Sequence, residues 1–298
     1  MRVFVTGATG FIGSAVVQDL IKAGHTVLGL TRSDKGAEAL ATAGAEVHRG
    51  DLEDLDSLRS GAAASDGVIH LGFIHDFSRF QEVCEADRRA IEAMGDVLAG
   101  PDRPLVITSG TGLGTAVPGQ PSTEDHFDPN HPNPRAASEF AAEAVAARGV
   151  RVSVVRLPQV HNTEKQGLIT PAIEVAREKR VAAYISDGLN RWPAVHVLDA
   201  APVYRLALEK APARARYHAV AEEGVTAREI AEAIGRGLKI PVVSLSPEEA
   251  AGHFGWLGFF AGIDMPASSA LTQQRLGWRP TQKAGMIEDL DHMDWSAV

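Results

Sequence analysis

The chain contains a single cysteine, Cys84, among 298 residues, so it cannot close an internal disulfide or assemble a thiolate metal cluster. Cys84 reads as a small buried hydrophobe. Tyrosine is nearly as scarce, with Tyr184, Tyr204 and Tyr217 only, which restricts where a phenolic acid can stand. No apolar run approaches the roughly 20 residues of a membrane span, and the first five residues lead straight into a glycine-rich turn instead of a secretion signal, so a cytoplasmic protein is expected. Basic blocks are missing too. Lysine and arginine total 29 against 38 acidic residues, and the net charge of -9 argues against nucleic acid or an anionic membrane as partner. The 45% hydrophobic and 22% charged content is that of an ordinary globular protein, which excludes disorder, collagen and coiled coil. At this length about 75% of the unfolded surface can be buried, enough for one large core or a main domain with a smaller lobe.

What is present is alternation. Short β-branched runs at 2–6, 26–31, 46–49, 67–71, 105–109 and 151–157 are separated by stretches with helical spacing at 11–23, 35–43, 55–61, 77–98 and 136–148. That pattern predicts an α/β fold of the Rossmann type, a doubly wound parallel sheet joined by right-handed crossovers. After Pro158 the regularity fades: 167–180 predicts a helix, 183–192 a loop, 194–197 a short strand and 198–208 a helix. An amphipathic helix follows at 227–237 and an aromatic-rich segment at 254–260. No repeat or long linker intervenes, so a smaller C-terminal substrate lobe built from returning segments is expected. The division places 1–160 and 191–216 in the nucleotide-binding domain, and 161–190 and 217–298 in the lobe.

Thr6-Gly7-Ala8-Thr9-Gly10-Phe11-Ile12-Gly13 lies between the first strand and the first helix, where a glycine turn aims backbone N–H groups and a helix N-terminus at a diphosphate. Gly7, Gly10 and Gly13 serve the turn, the close phosphate approach and the helix packing in that order. At the end of the second strand, where a carboxylate would bind an adenosine ribose, the chain offers Arg32 and Ser33. Arg32 can grip a 2′-phosphate bidentately and Ser33 can donate to it, so NADP(H) is preferred over NAD(H). Gly50-Asp51-Leu52 follows the third strand; Asp51 reads either as an adenine contact or as a helix N-cap.

With these residues the chain resembles the short-chain dehydrogenase/reductase superfamily, in its extended or atypical epimerase/dehydratase-like branch. Thr6 to Gly13 matches that branch's Thr-Gly-x-x-Gly-x-x-Gly motif, Gly50-Asp51-Leu52 its adenine segment and His70-Leu71-Gly72-Phe73 the run after its fourth strand. Val155 to Val160 is similar to its sixth strand and nicotinamide loop, Val195 to Ala201 to its late strand-to-helix segment, and Arg275-Leu276-Gly277-Trp278-Arg279-Pro280 to its closing motif. The resemblance implies cofactor contacts at Gly7, Thr9, Gly10, Phe11, Ile12, Gly13, Arg32, Ser33, Asp51, Leu52, Leu71, Gly72, Phe73, Ser109, Pro158 and Val160, and no metal. It also implies a homodimer through the helices at 77–98 and 136–148, although a monomer fits equally.

The resemblance further implies a catalytic Ser or Thr after the fifth strand, for which Ser109 fits and Thr111 is the nearest substitute, and a Tyr-x-x-x-Lys pair on the following helix. That pair is missing: Arg135 and Glu139 occupy its two positions, and four residues beyond the three tyrosines stand Gly188, Leu208 and Ala221. Arginine stays charged, so Arg135 can stabilise an alkoxide as a fixed donor but cannot act as acid or base. Its other reading is an i,i+4 salt bridge to Glu139. The proton donor is then sought at His161, next to the nicotinamide-loop match, or at His75 in the loop after the fourth strand. His196 reads as structural. Trp192, Phe254, Trp256, Phe259 and Phe260 line an apolar pocket or fill the core of the lobe. Two functions compete: an NADP(H)-dependent oxidoreductase acting on a moderately apolar small carbonyl or alcohol, and a non-catalytic NADP(H)-binding redox sensor. A dehydratase or epimerase ranks third, because it leans on the same missing base.

Overall fold

A computed structural model describes residues 1–98, 100 and 103–296; residues 297 and 298, the end of the expected lobe, lie outside the described residues. The strands are β1 (Arg2–Thr6), β2 (Thr26–Thr31), β3 (Glu46–Arg49), β4 (Gly67–His70), β5 (Pro104–Gly110), β6 (Arg151–Leu157), β7 (Gln159–His161), β8 (Ala182–Ile185), β9 (Arg191–His196), β10 (Ala215–His218), β11 (Glu222–Thr226) and β12 (Val242–Leu245). The helices are α1 (Phe11–Lys22), α2 (Asp34–Thr42), α3 (Leu55–Ala63), α4 (Phe80–Val97), α5 (Ala136–Ala147), α6 (Ile169–Lys179), α7 (Val197–Lys210), α8 (Ala227–Leu238), α9 (Pro247–Phe254), α10 (Gly258–Ala261), α11 (Ala270–Leu276) and α12 (Met286–Asp291).

Seven strands form one parallel sheet in the order β10-β6-β5-β4-β1-β2-β3. Alternation along β1 assigns its side chains to two cores. Val3 and Val5 pack with Val16, Val17 and Leu20 of α1 and with Val203, Tyr204 and Leu208 of α7, whereas Phe4 faces α3, α4 and α5 through Leu58, Ile91 and Val145. Helices thus cover both faces. The strand order reverses between β1 and β4, and ligands of open α/β sheets bind in the crevice at the carboxyl ends of such strands.

A third core joins α6, α8, α9 and α12 to Trp192 of β9. The three-stranded sheet β11-β9-β7 and the parallel pair β12-β8 contribute Val225, Ala194 and Ala182 to the same core. The expected loop at 183–192 is therefore corrected. It contains most of β8, whose Ala182 to Ile185 pair in register with Val242 to Leu245, and the beginning of β9. The expected helix at 77–98 also begins later, because Asp76 accepts from the Ser78 N–H and folds Phe77–Arg79 into a separate 3-10 turn before α4 starts.

Candidate functional site

The glycine turn follows β1. Gly7 has φ of +66°, and a Cβ there would stand 2.8 Å from the Gly72 nitrogen, so the turn is pressed against the loop after β4. At Gly13 a Cβ would lie 1.9 Å from the Gly7 carbonyl oxygen, which makes this glycine a packing requirement of α1 on the turn. Gly10 differs. Its backbone is extended, at φ -78° and ψ 173°, and the nearest atom to an added Cβ is the Gly7 oxygen at 3.2 Å. Gly10 is the N-cap of α1 with no side-chain cap, so the first-turn N–H groups of Phe11, Ile12 and Gly13 are left for an acceptor from outside, and Thr9 is exposed beside them. A bare helix N-terminus behind a cradle closed to side chains fits a diphosphate.

At the end of β2, the Arg32 side chain is 80% exposed, and its only ion pair among the described residues is a long one, 3.4 Å to Asp51. Between such exposed groups that contact is worth little, so the guanidinium is available to an anion. Ser33 caps α2 by accepting the Gly36 N–H, which leaves its hydroxyl proton free to donate. Asp51 accepts from the Glu53 N–H without capping α3, the N-cap being Asp54. Leu52 packs against Gly72 of the Leu71-Gly72-Phe73 run. Pro158 is half-buried after β6; Val160 is buried in the core with Val195, so its side chain supports the site from beneath.

The i,i+4 pairing of Arg135 with Glu139 is not formed. Arg135 sits at the N-cap of α5 and reaches toward α4: Nη1 donates to Asp87 Oδ2 at 2.6 Å and to the Ser138 hydroxyl, and Nη2 donates to the Thr108 carbonyl at 2.8 Å. Its guanidinium lies 4.4 Å from the centre of the Phe73 ring. Glu139 is fully buried and turns toward β6, accepting from Arg156 Nε at 2.7 Å, Arg156 Nη2 at 2.8 Å and Arg216 Nε at 2.7 Å. One carboxylate saturated by the buried Arg156 and the half-buried Arg216 has nothing left for a third arginine. Burial opposes its ionised form, but Arg156 and Arg216 outweigh that and hold Glu139 below the usual carboxylate range. Ser109 is buried and donates to Glu139 Oε1 at 2.9 Å; Thr111 is buried as well.

The partner of Arg135 heads a chain of groups that pattern reading passed over. The Asp87 carboxylate can only accept, so His70 Nε2–H donates to Asp87 Oδ1 at 3.0 Å; in the neutral ring Nδ1 then accepts from the Thr6 hydroxyl at 2.7 Å, while Thr6 Oγ1 accepts the Gly72 N–H at 3.0 Å. Burial works against the charged form of Asp87, yet the Arg135 charge and the hydrogen bonds from His70 and Ser138 hold it well below the ordinary carboxylate range. The signal was in the sequence. Asp87 falls on the apolar stripe of α4 with Val83, Cys84, Ala90, Ile91 and Met94, and a carboxylate on a buried stripe demands partners. Cys84 beside it is buried, and that burial pushes its thiol up to about 11, the pKa of an inert thiol.

The two histidines part company. His161 is 1% exposed; Nδ1 lies 2.6 Å from Asp289 of α12, Nε2 3.6 Å from Glu222, and its ring meets His196 edge-on. Burial lowers its pKa despite these carboxylates. His75 is exposed, edge-on to Phe73 at 5.5 Å and to Phe77 at 6.2 Å. Its pKa is lowered by desolvation first and then by the charges of Arg135 and Lys165, against the Phe73 backbone, which favours the protonated ring. Among the described residues no group of three or more His, Cys, Asp or Glu side chains is arranged to hold a metal ion, and no helix is long and apolar enough to cross a membrane.

Comparison with known proteins agrees with this architecture. The pattern of the family described as "NAD dependent epimerase/dehydratase family" matches residues 3–220. An uncharacterized protein of Schizosaccharomyces pombe is 51% identical over 289 residues, 97% of this chain and 98% of that protein. The 2-alkyl-3-oxoalkanoate reductase of Stenotrophomonas maltophilia is 29% identical over 222 residues, 70% of this chain and 66% of that enzyme. The crystal structure of the UDP-glucose 4-epimerase of Thermotoga maritima with UDP-glucose superimposes with a TM-score of 0.75 at 20% identity, covering 98% of this chain and 97% of that one.

Proposed function

The chain belongs to the NAD-dependent epimerase/dehydratase family, and from that premise we propose that it is an NADP(H)-dependent oxidoreductase acting on a moderately apolar small carbonyl or alcohol. The observation that carries the cofactor preference is the exposed guanidinium of Arg32 at the end of β2, where no carboxylate occupies the ribose position. In this reading the first-turn N–H groups of α1 hold the diphosphate, Arg32 and the Ser33 hydroxyl hold the 2′-phosphate, and the Asp51-Leu52 segment borders the adenine. When bound, the nicotinamide supplies or accepts a hydride.

The chain's own residues supply the rest. Arg135 retains its Nε–H and one Nη2–H beyond the bonds to Asp87, Ser138 and Thr108, and these form a fixed donor pair for a substrate oxygen. Asp87, braced by His70 and Ser138, positions that guanidinium over Phe73. His75, exposed in the loop after β4 and edge-on to Phe73, is the proton donor we favour, although desolvation holds its pKa below the ordinary imidazole value; the carboxylate-bound, buried His161 is assigned to holding α12 against β7. Ser109, bonded to Glu139, acts as a support of the β5–α5 junction. The partial likeness to an oxoalkanoate reductase agrees with carbonyl chemistry.

Fluorescence titration tests the cofactor assignment. NADPH should bind tighter than NADH, and Arg32→Ala should weaken NADPH alone, by about 1.5–3 kcal/mol, the value of a hydrogen bond to a charged group. An intrinsic preference for NADH, or equal losses for both, would refute it. The redox-sensor reading draws on one observation, the burial of Glu139 against Arg156 and Arg216 where its family would hold a catalytic lysine.

A further inference from the structure

A second arginine leaves the sheet beside the carboxyl end of β2. Arg49 closes β3 and is paired in register with Thr31, the residue before Arg32. Register partners on neighbouring strands present their side chains to the same face of a sheet. Thr31 faces α2, since a Cβ on Gly36 would lie 2.1 Å from Thr31 Oγ1 and 3.2 Å from Ser33 Oγ. Arg49 is therefore delivered to the side of the sheet where Ser33 caps α2, and its Nη2 donates to Asp34, the first residue of that helix. His48, one residue earlier, goes to the opposite face, where Nε2 lies 2.9 Å from the Ser57 carbonyl oxygen of α3 and the ring meets Phe4 edge-on.

The ion pairs at these strand ends are crossed. Arg32, just after β2, reaches Asp51 after β3, whereas Arg49, at the end of β3, reaches Asp34 after β2. Both pairs are weak: the first spans 3.4 Å, and in the second the Asp34 side chain is 100% exposed and that of Arg49 48%. Asp34 gives up little when Arg49 leaves it, because it is already hydrated and stands in the first turn of α2, where the helix dipole favours a negative charge. A phosphate monoester carries about 1.5–2 negative charges at pH 7 and three acceptor oxygens, so it is a stronger acceptor for a guanidinium than a single exposed carboxylate.

We propose that Arg49 is a second ligand of the cofactor 2′-phosphate, withheld by Asp34 until the phosphate displaces that carboxylate. This rests on the proposed NADP(H) preference and assigns it to Arg32, Ser33 and Arg49 together. Binding is then an exchange of partners, in which Arg49 turns from Asp34 to the phosphate and Asp34 returns to solvent. Isothermal titration with adenosine 2′,5′-bisphosphate and with 5′-AMP, in about 0.15 M salt to screen simple repulsion, tests it without nicotinamide or turnover. The bisphosphate should bind more tightly than 5′-AMP. Arg49→Gln, with native circular dichroism, should weaken the bisphosphate about tenfold, the scale of one charge-assisted hydrogen bond, and leave 5′-AMP unchanged. Arg49→Lys, which keeps the charge without the planar fork, should recover part of that loss. Asp34→Asn should tighten the bisphosphate about threefold, the scale of an exposed ion pair, and the gain should vanish in an Arg49→Gln background because Asp34 acts through Arg49. An unchanged bisphosphate affinity in Arg49→Gln, an equal loss for 5′-AMP, or an Asp34→Asn gain that survives without Arg49 overturns the assignment. If Arg32→Ala abolishes the bisphosphate preference and Arg49→Gln does not, the NADP(H) reading stands and the second ligand falls; a wild type that binds 5′-AMP as tightly as the bisphosphate rejects both.

Discussion

Replacing Glu139 by alanine removes the carboxylate that holds Arg156 and Arg216 together. Arg156 is fully buried and gives Glu139 two donors, at 2.7 and 2.8 Å; its Nη1 turns instead to the His126 carbonyl at 2.9 Å and the Thr123 carbonyl at 3.3 Å. In Glu139→Ala about half of the Arg156 donors lose their acceptor, and its charge is buried without a counterion. Breaking a buried pair in this way costs about 3–5 kcal/mol, a large share of the roughly 5–15 kcal/mol that stabilises a domain. At roughly 2 °C per kcal/mol for a chain of this size, the melting temperature should fall by about 6–10 °C. Thermal and urea unfolding followed by circular dichroism measure it. Glu143→Ala is the control: Glu143 is 36% exposed and binds Arg216 from outside, so its loss should cost under about 1 kcal/mol. The sign of the pH dependence follows from the depressed pKa of Glu139. Its stabilisation is complete above the unfolded value of about 4.3 and disappears as pH falls through the lower folded value, so the gap between wild type and Glu139→Ala should narrow in acid. Glu139→Lys, which installs the residue the family pattern expects, should be worse than alanine, because it sets a third cation beside the buried Arg156 and the half-buried Arg216. A loss below about 1 kcal/mol for Glu139→Ala would refute the buried-counterion argument.

Three further outcomes are expected. Gly10→Ala should fold normally, since an added Cβ meets only the Gly7 oxygen at 3.2 Å, yet lose most NADPH affinity, whereas Gly13→Ala should lower stability itself because its Cβ would lie 1.9 Å from the same oxygen; calorimetry and titration separate the two. If Arg135 supplies the fixed donors, Arg135→Ala should cut turnover by roughly 10²-fold with NADPH affinity nearly unchanged, and an unaltered rate would exclude it. His75 titrates below about 6.5, so if it is the acid the reduction rate should rise as pH falls through that range and His75→Gln should flatten the profile; His161→Phe should leave the profile intact and lower stability instead, and the opposite result would return His161 to the chemistry.

Much of the fold was legible because buried parallel strands between glycine turns leave short, sharply bounded β-branched runs. β1, β2, β3 and β6 run over the residues that pattern predicts, and the Gly7-Gly10-Gly13 turn is legible because backbone conformation and close contact are written in the glycines themselves. β8 was not legible, since its partner, β12, lies some sixty residues away and neither strand alternates strongly. The same limit applies to Arg135 and Glu139. Helical spacing makes them neighbours, but the choice among several arginines and carboxylates is made by tertiary packing, which brings Asp87 from α4 and Arg156 and Arg216 from β6 and β10. Sequence alone could still have marked Asp87 and Glu139, because each is a carboxylate on the buried face of its helix.

The account stands most directly on hydride transfer. Incubating the protein with stereospecifically deuterated NADPH and a panel of aryl and alkyl aldehydes, ketones and oxo acids, and reading deuterium in the alcohol products by mass spectrometry, tests it in one experiment. Label should appear at the carbinol carbon of at least one product, faster from NADPH than from NADH. Tight binding of NADPH with no label in any product would contradict the oxidoreductase and leave a protein that senses the cofactor without using it.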